Sequence, residues 1–273
     1  MQPAEEKLVR PVPTWLRALF LINVILLAPQ VIGLFSPDSI PFPVQLTPLN
    51  ARFIGALYLA GLVAILLSGL GSDLADLRIV LFSFAIISVL VLAVTTIYWT
   101  DFSTKGFPLI WLAVYIFDPI TAVAALLILR PLRPAQAGVH RLTGLFALES
   151  GVFGLGGIVL LVAPAFAAQV WPWKITPLLA QVYGAFLLAF ALGALLAARE
   201  SRAAAVIPTI AGTLVLAAGT LIGSVLHLDR FTPGISSVIW FAVVVLTLIA
   251  FAIALVAQAR PALINRRQKW AAP

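Results

Sequence analysis

Long apolar stretches separated by short polar segments make up most of the chain. Eight of them contain about twenty residues, enough for an α-helix to cross a hydrocarbon core of roughly 30 Å. The pattern therefore predicts eight transmembrane helices, at residues 15–34, 48–70, 77–99, 107–129, 142–162, 177–198, 203–226 and 235–257.

One part of this pattern occurs twice. Residues 45–60, QLTPLNARFIGALYLA, align without a gap with residues 174–189, KITPLLAQVYGAFLLA, and half of the aligned residues are identical. The same offset of 129 relates Ile110-Trp111 to Ile239-Trp240. Because each unit has an even number of helices, both units enter the membrane from the same side. The sequence therefore predicts an all-α integral membrane protein built from two parallel four-helix repeats, related by a pseudo-twofold axis along the membrane normal.

The repeat divides the chain into five segments. They are a cytoplasmic N-terminal segment (1–14), a first four-helix unit (15–130), a cytoplasmic linker (131–141), a second four-helix unit (142–257) and a basic cytoplasmic tail (258–273).

Small residues recur at every fourth position in the second and sixth predicted helices. Both helices follow a Thr-Pro pair, in which Thr47 or Thr176 supplies an N-cap oxygen and proline occupies the first helical position. Helices in lipid associate through close backbone contact, so the small positions predict a packing face. The face consists of Ala56, Ala60, Ala64 and Ser68 in the first unit and Ala185, Ala189, Gly193 and Ala197 in the second. A second tight face is expected in the fifth helix at Ala147, Ser150, Gly151 and Gly154.

Composition and charge support the membrane class and add an orientation. Apolar residues make up 62% of the chain, charged residues 10%, and the mean hydropathy is +1.11. Thirteen of the 17 lysines and arginines fall on the side of the termini, and only Arg52, Lys105, Lys174 and Arg230 fall on the other. Since basic residues near helix ends stay in the cytoplasm during insertion, both termini are predicted to be cytoplasmic, in the plasma (inner) membrane. This bias accounts for the net charge of +7, so no nucleic-acid partner is predicted.

The sequence contains no recognised catalytic or cofactor-binding motif. It has no cysteine, and its two histidines, His140 and His227, fall in different loops. It also lacks a glycine-rich phosphate loop and a zinc-binding HExxH motif. We therefore predict no enzymatic activity, no cofactor and no metal site. Five tryptophans toward the outer side are expected to anchor the helices at the membrane interface, namely Trp99, Trp111, Trp171, Trp173 and Trp240.

Three ionisable residues lie inside predicted helices, where a charge costs at least about 2.5 kcal/mol. Asp118 is expected near the bilayer midplane, facing the bundle interior and predominantly protonated. It could hold a proton or a cation, or stabilise a kink at Pro119. Arg52 lies one turn into its helix and either extends to the outer interface or binds a ligand or an ion-pair partner. Glu149 is expected to pair with Arg141 or Arg133.

Two functions remain open. The first is a small transporter or permease-like protein for a hydrophobic or weakly polar solute, with Asp118 and Arg52 in a cavity between the units. The second is a non-transporting membrane scaffold, or a subunit that packs on another membrane protein or on a second copy of the chain. The lipid bilayer is the expected environment in both cases.

The topology can be tested directly. Reporter domains fused at the C-terminus and in the loop that contains Lys105 should report opposite sides of the membrane, with the C-terminus in the cytoplasm. Two reporters on the same side would contradict the eight-helix arrangement.

Overall fold

The computed structural model describes residues 11–102, 107–129 and 141–270, and this part of the chain forms nine α-helices. They are α1 (Thr14–Phe35), α2 (Pro48–Gly69), α3 (Arg78–Ile97), α4 (Phe107–Leu129), α5 (Thr143–Val162), α6 (Pro164–Val170), α7 (Pro177–Ala197), α8 (Ala203–Leu226) and α9 (Ile235–Trp270).

Seven of these helices are long and apolar enough to cross a membrane; the other two are α4 and α6. Within α4, the apolar stretch Trp111–Leu127 is shorter, and α6 has only seven residues. The chain is therefore a helical, apolar protein of the kind that lies in a lipid bilayer, and the eighth crossing stays a prediction. Helix α9 continues to Trp270, although the eighth predicted helix ended at residue 257 and the cytoplasmic tail was expected to begin at residue 258.

The two Thr-Pro pairs do start helices α2 and α7, but only one threonine acts as a side-chain cap. Thr176 Oγ1 accepts a hydrogen bond of 3.2 Å from the backbone N–H of Leu179. Thr47 occupies the equivalent N-cap position without a side-chain bond, so its predicted capping role is wrong.

The largest helix interfaces run within and between the two predicted units. Within the units, α1 packs on α2 and α3 on α4, while α5 packs on α7 and α8 on α9. Between them, α2 packs on α8 and α7 packs on α3. The main hydrophobic core accordingly contains residues of both units, so the interior is one assembly and not two separate four-helix bundles.

Glycines allow the helices of each α1–α2 and α5–α7 pair to come unusually close. A methyl group placed on Gly184 of α7 would lie 2.9 Å from the carbonyl oxygen of Gly157 in α5. The equivalent glycine of α2, Gly55, meets the backbone of Gly33 and Leu34 in α1. Any side chain at these crossings would push the backbones apart.

The small faces of α2 and α7 pack on different helices. A methyl group placed on Gly219 of α8 would lie 2.9 Å from Ala56 Cβ of α2. A methyl group on Gly212 of α8 would lie 3.1 Å from the Ala60 carbonyl oxygen of α2. Gly193 of α7 instead meets Ser83 and Ile79 of α3. Seven of the eight predicted face residues are buried, and Ala64 is half-buried.

The predicted tight face of α5 is wrong. Ala147 is exposed, and a methyl group on Gly151 would find no neighbouring atom within 4 Å. Gly154 meets only the Ala191 methyl group, at 3.6 Å. The close approach occurs at Gly157, one turn further along, because that glycine faces Gly184 of α7.

Two of the predicted interfacial tryptophans lie in the interior. Trp111 and Trp173 are only 3% and 2% exposed, whereas Trp99 is 49% exposed. Their indole N–H groups have interior partners, because Trp111 Nε1 donates to Tyr58 Oη at 3.1 Å and Trp173 Nε1 donates to Asn50 Oδ1 at 2.7 Å. A buried tryptophan is stable when its N–H is bonded in this way.

Two glycine-to-alanine changes test the importance of the α5–α7 crossing. Gly184→Ala should lower the free energy of unfolding by about 1–3 kcal/mol, since the new methyl group overpacks the crossing. Gly151→Ala makes the same chemical change on an open face of α5 and should leave stability unchanged or slightly raised. Denaturation in mixed micelles measures both, and equal stability of the two variants would contradict the packing described here.

Candidate functional site

Among the cavities formed by the described residues, two of very different size are lined by corresponding positions of the two predicted units. The larger, called the second-unit cavity, has a volume of about 490 Å³ and is lined mainly by α5, α8, α9 and the segment around Trp171. The smaller, called the first-unit cavity, has a volume of about 50 Å³ and is lined by residues of α1, α2, α3, α4 and α7, including Asp118.

Six lining positions of the two cavities are related by the sequence offset of 129. In the first-unit cavity they are Tyr58, Phe84, Ile87, Ser88, Tyr115 and Asp118. In the second-unit cavity they are, in the same order, Leu187, Thr213, Leu216, Ala217, Val244 and Thr247. The cavities therefore occupy corresponding places in the two predicted units.

Side-chain size accounts for the difference in volume. Tyr58 and Tyr115 are both buried in the first unit, and their hydroxyl groups are 2.7 Å apart. At these positions the second unit has Leu187 and Val244, which are smaller and have no polar group to join. The paired tyrosines thus fill space that stays open in the second unit.

Asp118 lies in the wall of the first-unit cavity. It is 6% exposed, and the amide of Asn23 in α1 is its neighbouring hydrogen-bonding side chain. None of the described residues that line this cavity is cationic. The interior position agrees with the high cost of a carboxyl group facing lipid.

A pair of aromatic rings lies in the wall of the second-unit cavity. Trp171 and Trp240 lie 5.2 Å apart between ring centroids, and the equivalent rings in the first unit, Phe42 and Trp111, lie 6.0 Å apart. The Trp171 segment is fixed by a hydrogen bond of 2.8 Å from the Thr232 N–H to the Pro172 carbonyl oxygen. This part of the cavity wall is therefore held by backbone as well as by ring contacts.

The lining of the second-unit cavity is mostly apolar, and none of its described residues carries a charge. Its hydroxyl groups belong to Thr213, Thr220, Ser236 and Thr247. Two polar atoms of the lining are buried without a hydrogen-bond partner, namely Trp171 Nε1 and Thr220 Oγ1. This combination suits a hydrophobic ligand that carries few polar groups.

Glu149 lies behind the second-unit cavity and not at an arginine. Its Oε1 accepts a hydrogen bond of 2.6 Å from Thr213 Oγ1, and its Oε2 has no partner. The side chain is 6% exposed. No ion pair of Glu149 occurs among the described residues; Arg141 is exposed and Arg133 lies outside those residues. The glutamate fixes the Thr213 hydroxyl, which lines the cavity.

Arg52 binds groups at one end of the bundle. Its Nε donates to His227 Nε2 at 3.1 Å, and its guanidinium also donates to the carbonyl oxygen of Leu34. The equivalent residue Gln181 likewise donates to a carbonyl, that of Leu161, at 2.7 Å. Arg52 forms no ion pair with Asp118 in the described part of the chain, so the structure does not bring these two candidate residues together.

A cluster at the opposite ends of these helices was not predicted. Arg202 forms ion pairs with Glu200 at 2.8 Å and with Asp76 at 3.1 Å, which joins the loop before α8 to the turn before α3. Burial tends to raise the pKa of Glu200, but the hydrogen bonds and charge of Arg202 outweigh it and lower that pKa. Sequence reasoning counted Arg202 only among the basic residues that set membrane orientation, because nothing in the sequence indicates that Asp76, which is distant in the chain, lies beside it.

The cavity-lining residues of the second unit were also missed. A signal for them exists in the sequence, since comparison at the offset of 129 shows large residues of the first unit opposite smaller ones of the second, as at Tyr115 and Val244. The smaller side chains at these second-unit positions indicate that space is left open there.

Comparisons with protein families, curated proteins and solved structures find no match to the chain. The function is therefore inferred from the geometry of the cavities.

The Arg52–His227 bond predicts a pH dependence of stability. Burial and the positive charge of Arg52 lower the pKa of His227 below its ordinary 6.5. The folded protein thus favours neutral histidine, whose Nε2 accepts the bond, and acidification below pH of about 6.5 should lower the melting temperature.

The variant His227→Gln separates this effect from other titrations, because glutamine can accept a hydrogen bond but does not titrate. We expect its melting temperature to fall less than that of the wild type between pH 7.5 and about 5.5. Parallel pH profiles of the two proteins would show that His227 has no such role.

Proposed function

We propose that the protein is a small membrane carrier for a hydrophobic or weakly polar solute, which binds in the second-unit cavity. The observation that carries the proposal is this cavity of about 490 Å³, which falls within the range of roughly 300–1,000 Å³ typical of small-molecule sites. Its apolar wall and few hydroxyl groups favour a solute that partitions into lipid.

The helix packing supports a route for such a solute. Helices α5 and α9 both line the cavity, yet the interfaces that hold them are with α7 and α8 respectively. We infer that the gap between α5 and α9 is a lateral opening to the bilayer, so that a solute dissolved in lipid reaches the cavity without crossing water.

The predicted architecture forms part of this proposal. We propose eight membrane crossings, with α4 as the eighth, two parallel repeats about a pseudo-twofold axis, and both termini in the cytoplasm at the inner membrane. The helix interfaces support the symmetry, because exchanging the units converts the α1–α2 pair into α5–α7, α3–α4 into α8–α9, and α2–α8 into α7–α3.

We do not propose that the first-unit cavity binds the solute. Its volume of about 50 Å³ suits water molecules and not an organic solute. Asp118 is expected to be protonated there, and the lack of a cation among the described lining residues supports the neutral carboxyl. The solute site and this polar site are thus separate.

Filling the second-unit cavity with the first unit's own side chains tests the function. The double variant Leu187→Tyr/Val244→Tyr places tyrosines where the first unit has Tyr58 and Tyr115. Wild-type protein in lipid nanodiscs should bind 2-acetylnaphthalene saturably, above its partition into empty nanodiscs. The double variant should lose at least about 90% of that binding because the cavity is occupied.

Val238→Tyr is the matched control, since Val238 lies on α9 and is 64% exposed, away from the cavity lining. It should bind the probe as the wild type does. Binding that persists in the double variant, or wild-type binding no greater than that of empty nanodiscs, would refute the carrier proposal and leave the scaffold function in its place.

A further inference from the structure

We propose that the second-unit cavity selects neutral hydrophobic molecules that carry a carbonyl or hydroxyl oxygen, and that Trp171 Nε1 and Thr220 Oγ1 bind this oxygen. The inference rests on the proposed function and names the class of solute that the cavity holds.

The first observation is that both atoms are buried and unpartnered in the cavity wall. Thr220 is 5% exposed, so bulk water does not satisfy its hydroxyl group. A buried polar group without a partner is costly, and proteins rarely keep one without a role. The indole N–H can only donate and the threonine hydroxyl can donate, so the missing partner is a hydrogen-bond acceptor.

The second observation comes from the repeat. The positions equivalent to Trp171 and Thr220 are Phe42 and Val91, which have no polar atom to leave unpaired. These two unpartnered groups therefore have no counterpart at the matching first-unit positions, and they lie in the wall of the cavity that is large enough for an organic molecule.

Two neighbouring polar groups of the cavity already have partners. Thr213 donates to Glu149, and Trp240 Nε1 donates to Ser224 Oγ at 3.0 Å. Of the lining groups, Trp171 Nε1 and Thr220 Oγ1 are the ones that are both buried and unpartnered, so a solute oxygen gains most by binding them. No charged side chain lines the cavity among the described residues, which favours a neutral molecule over a carboxylate or an ammonium compound.

The occupant is a free small molecule and not a membrane phospholipid. The cavity of about 490 Å³ offers space for a small organic molecule, and no charged side chain of the described lining could pair with a phospholipid headgroup.

Two probes of nearly equal size test the inference, 2-acetylnaphthalene with a carbonyl oxygen and 2-ethylnaphthalene without one. Wild-type protein in nanodiscs should prefer the acetyl compound by about tenfold after correction for partition into empty nanodiscs, which equals about 1.4 kcal/mol. Trp171→Phe and Thr220→Val should each reduce the preference roughly threefold, and together they should abolish it. Affinity for the ethyl compound should stay within about twofold of wild type.

Trp173→Phe is the control, because Trp173 is absent from the cavity lining and its indole N–H already has a partner in Asn50 Oδ1. It should keep the preference for the acetyl compound. Equal loss in Trp173→Phe and Trp171→Phe would show that the effect is not due to the unpartnered N–H.

The outcomes separate this inference from the proposed function. Saturable binding without a preference, or with a preference unchanged in both cavity variants, would overturn the inference and leave the carrier function standing. Absence of saturable binding of either probe would overturn both. Native mass spectra that show a retained phospholipid, released by the tyrosine double variant, would assign the cavity to lipid and overturn the selection proposed here.

Discussion

Close approach of helix backbones at small residues is the constraint on which this structure depends. Lipid gives apolar helices no hydrophobic reason to associate, so contact must come from packing. Gly55 and Gly184 bring α2 and α7 against α1 and α5, and the opposite faces of α2 and α7 meet α8 and α3. Since α2 and α7 are thereby fixed on two sides, they determine where the remaining helices lie and where space is left between them.

Within this common frame, side-chain volume decides what each half can hold. Tyr58 and Tyr115 join through their hydroxyl groups and fill the first-unit cavity down to about 50 Å³. Leu187 and Val244 leave about 490 Å³ at the corresponding place. The two cavities also differ in their polar groups. Asp118 lies in the wall of the small cavity, whereas the unpartnered Trp171 and Thr220 line the large one. The two predicted units thus have chemically different interiors.

The sequence predicted the helices well, because hydropathy and Thr-Pro starts are local signals; the bounds of α2, α7 and α8 agree within a residue. It predicted the interior location of Asp118 from energetic cost alone. It did not predict that His227 is a partner of Arg52, Thr213 of Glu149 and Asp76 of Arg202, because each of these partners is distant in the chain. The sequence placed Trp111 and Trp173 at the membrane interface because they fall near predicted helix ends. It could not show that Tyr58 and Asn50 accept hydrogen bonds from their indole N–H groups in the interior.

The most direct measurement of the central claim is an experimental structure of the full chain in nanodiscs with a bromine-labelled 2-acetylnaphthalene. The account predicts bromine density in the cavity between α5, α8 and α9, with the carbonyl oxygen of the probe within hydrogen-bond distance of Trp171 Nε1 or Thr220 Oγ1. Density confined to the outer lipid-facing surface, or a cavity filled by protein side chains, would contradict it.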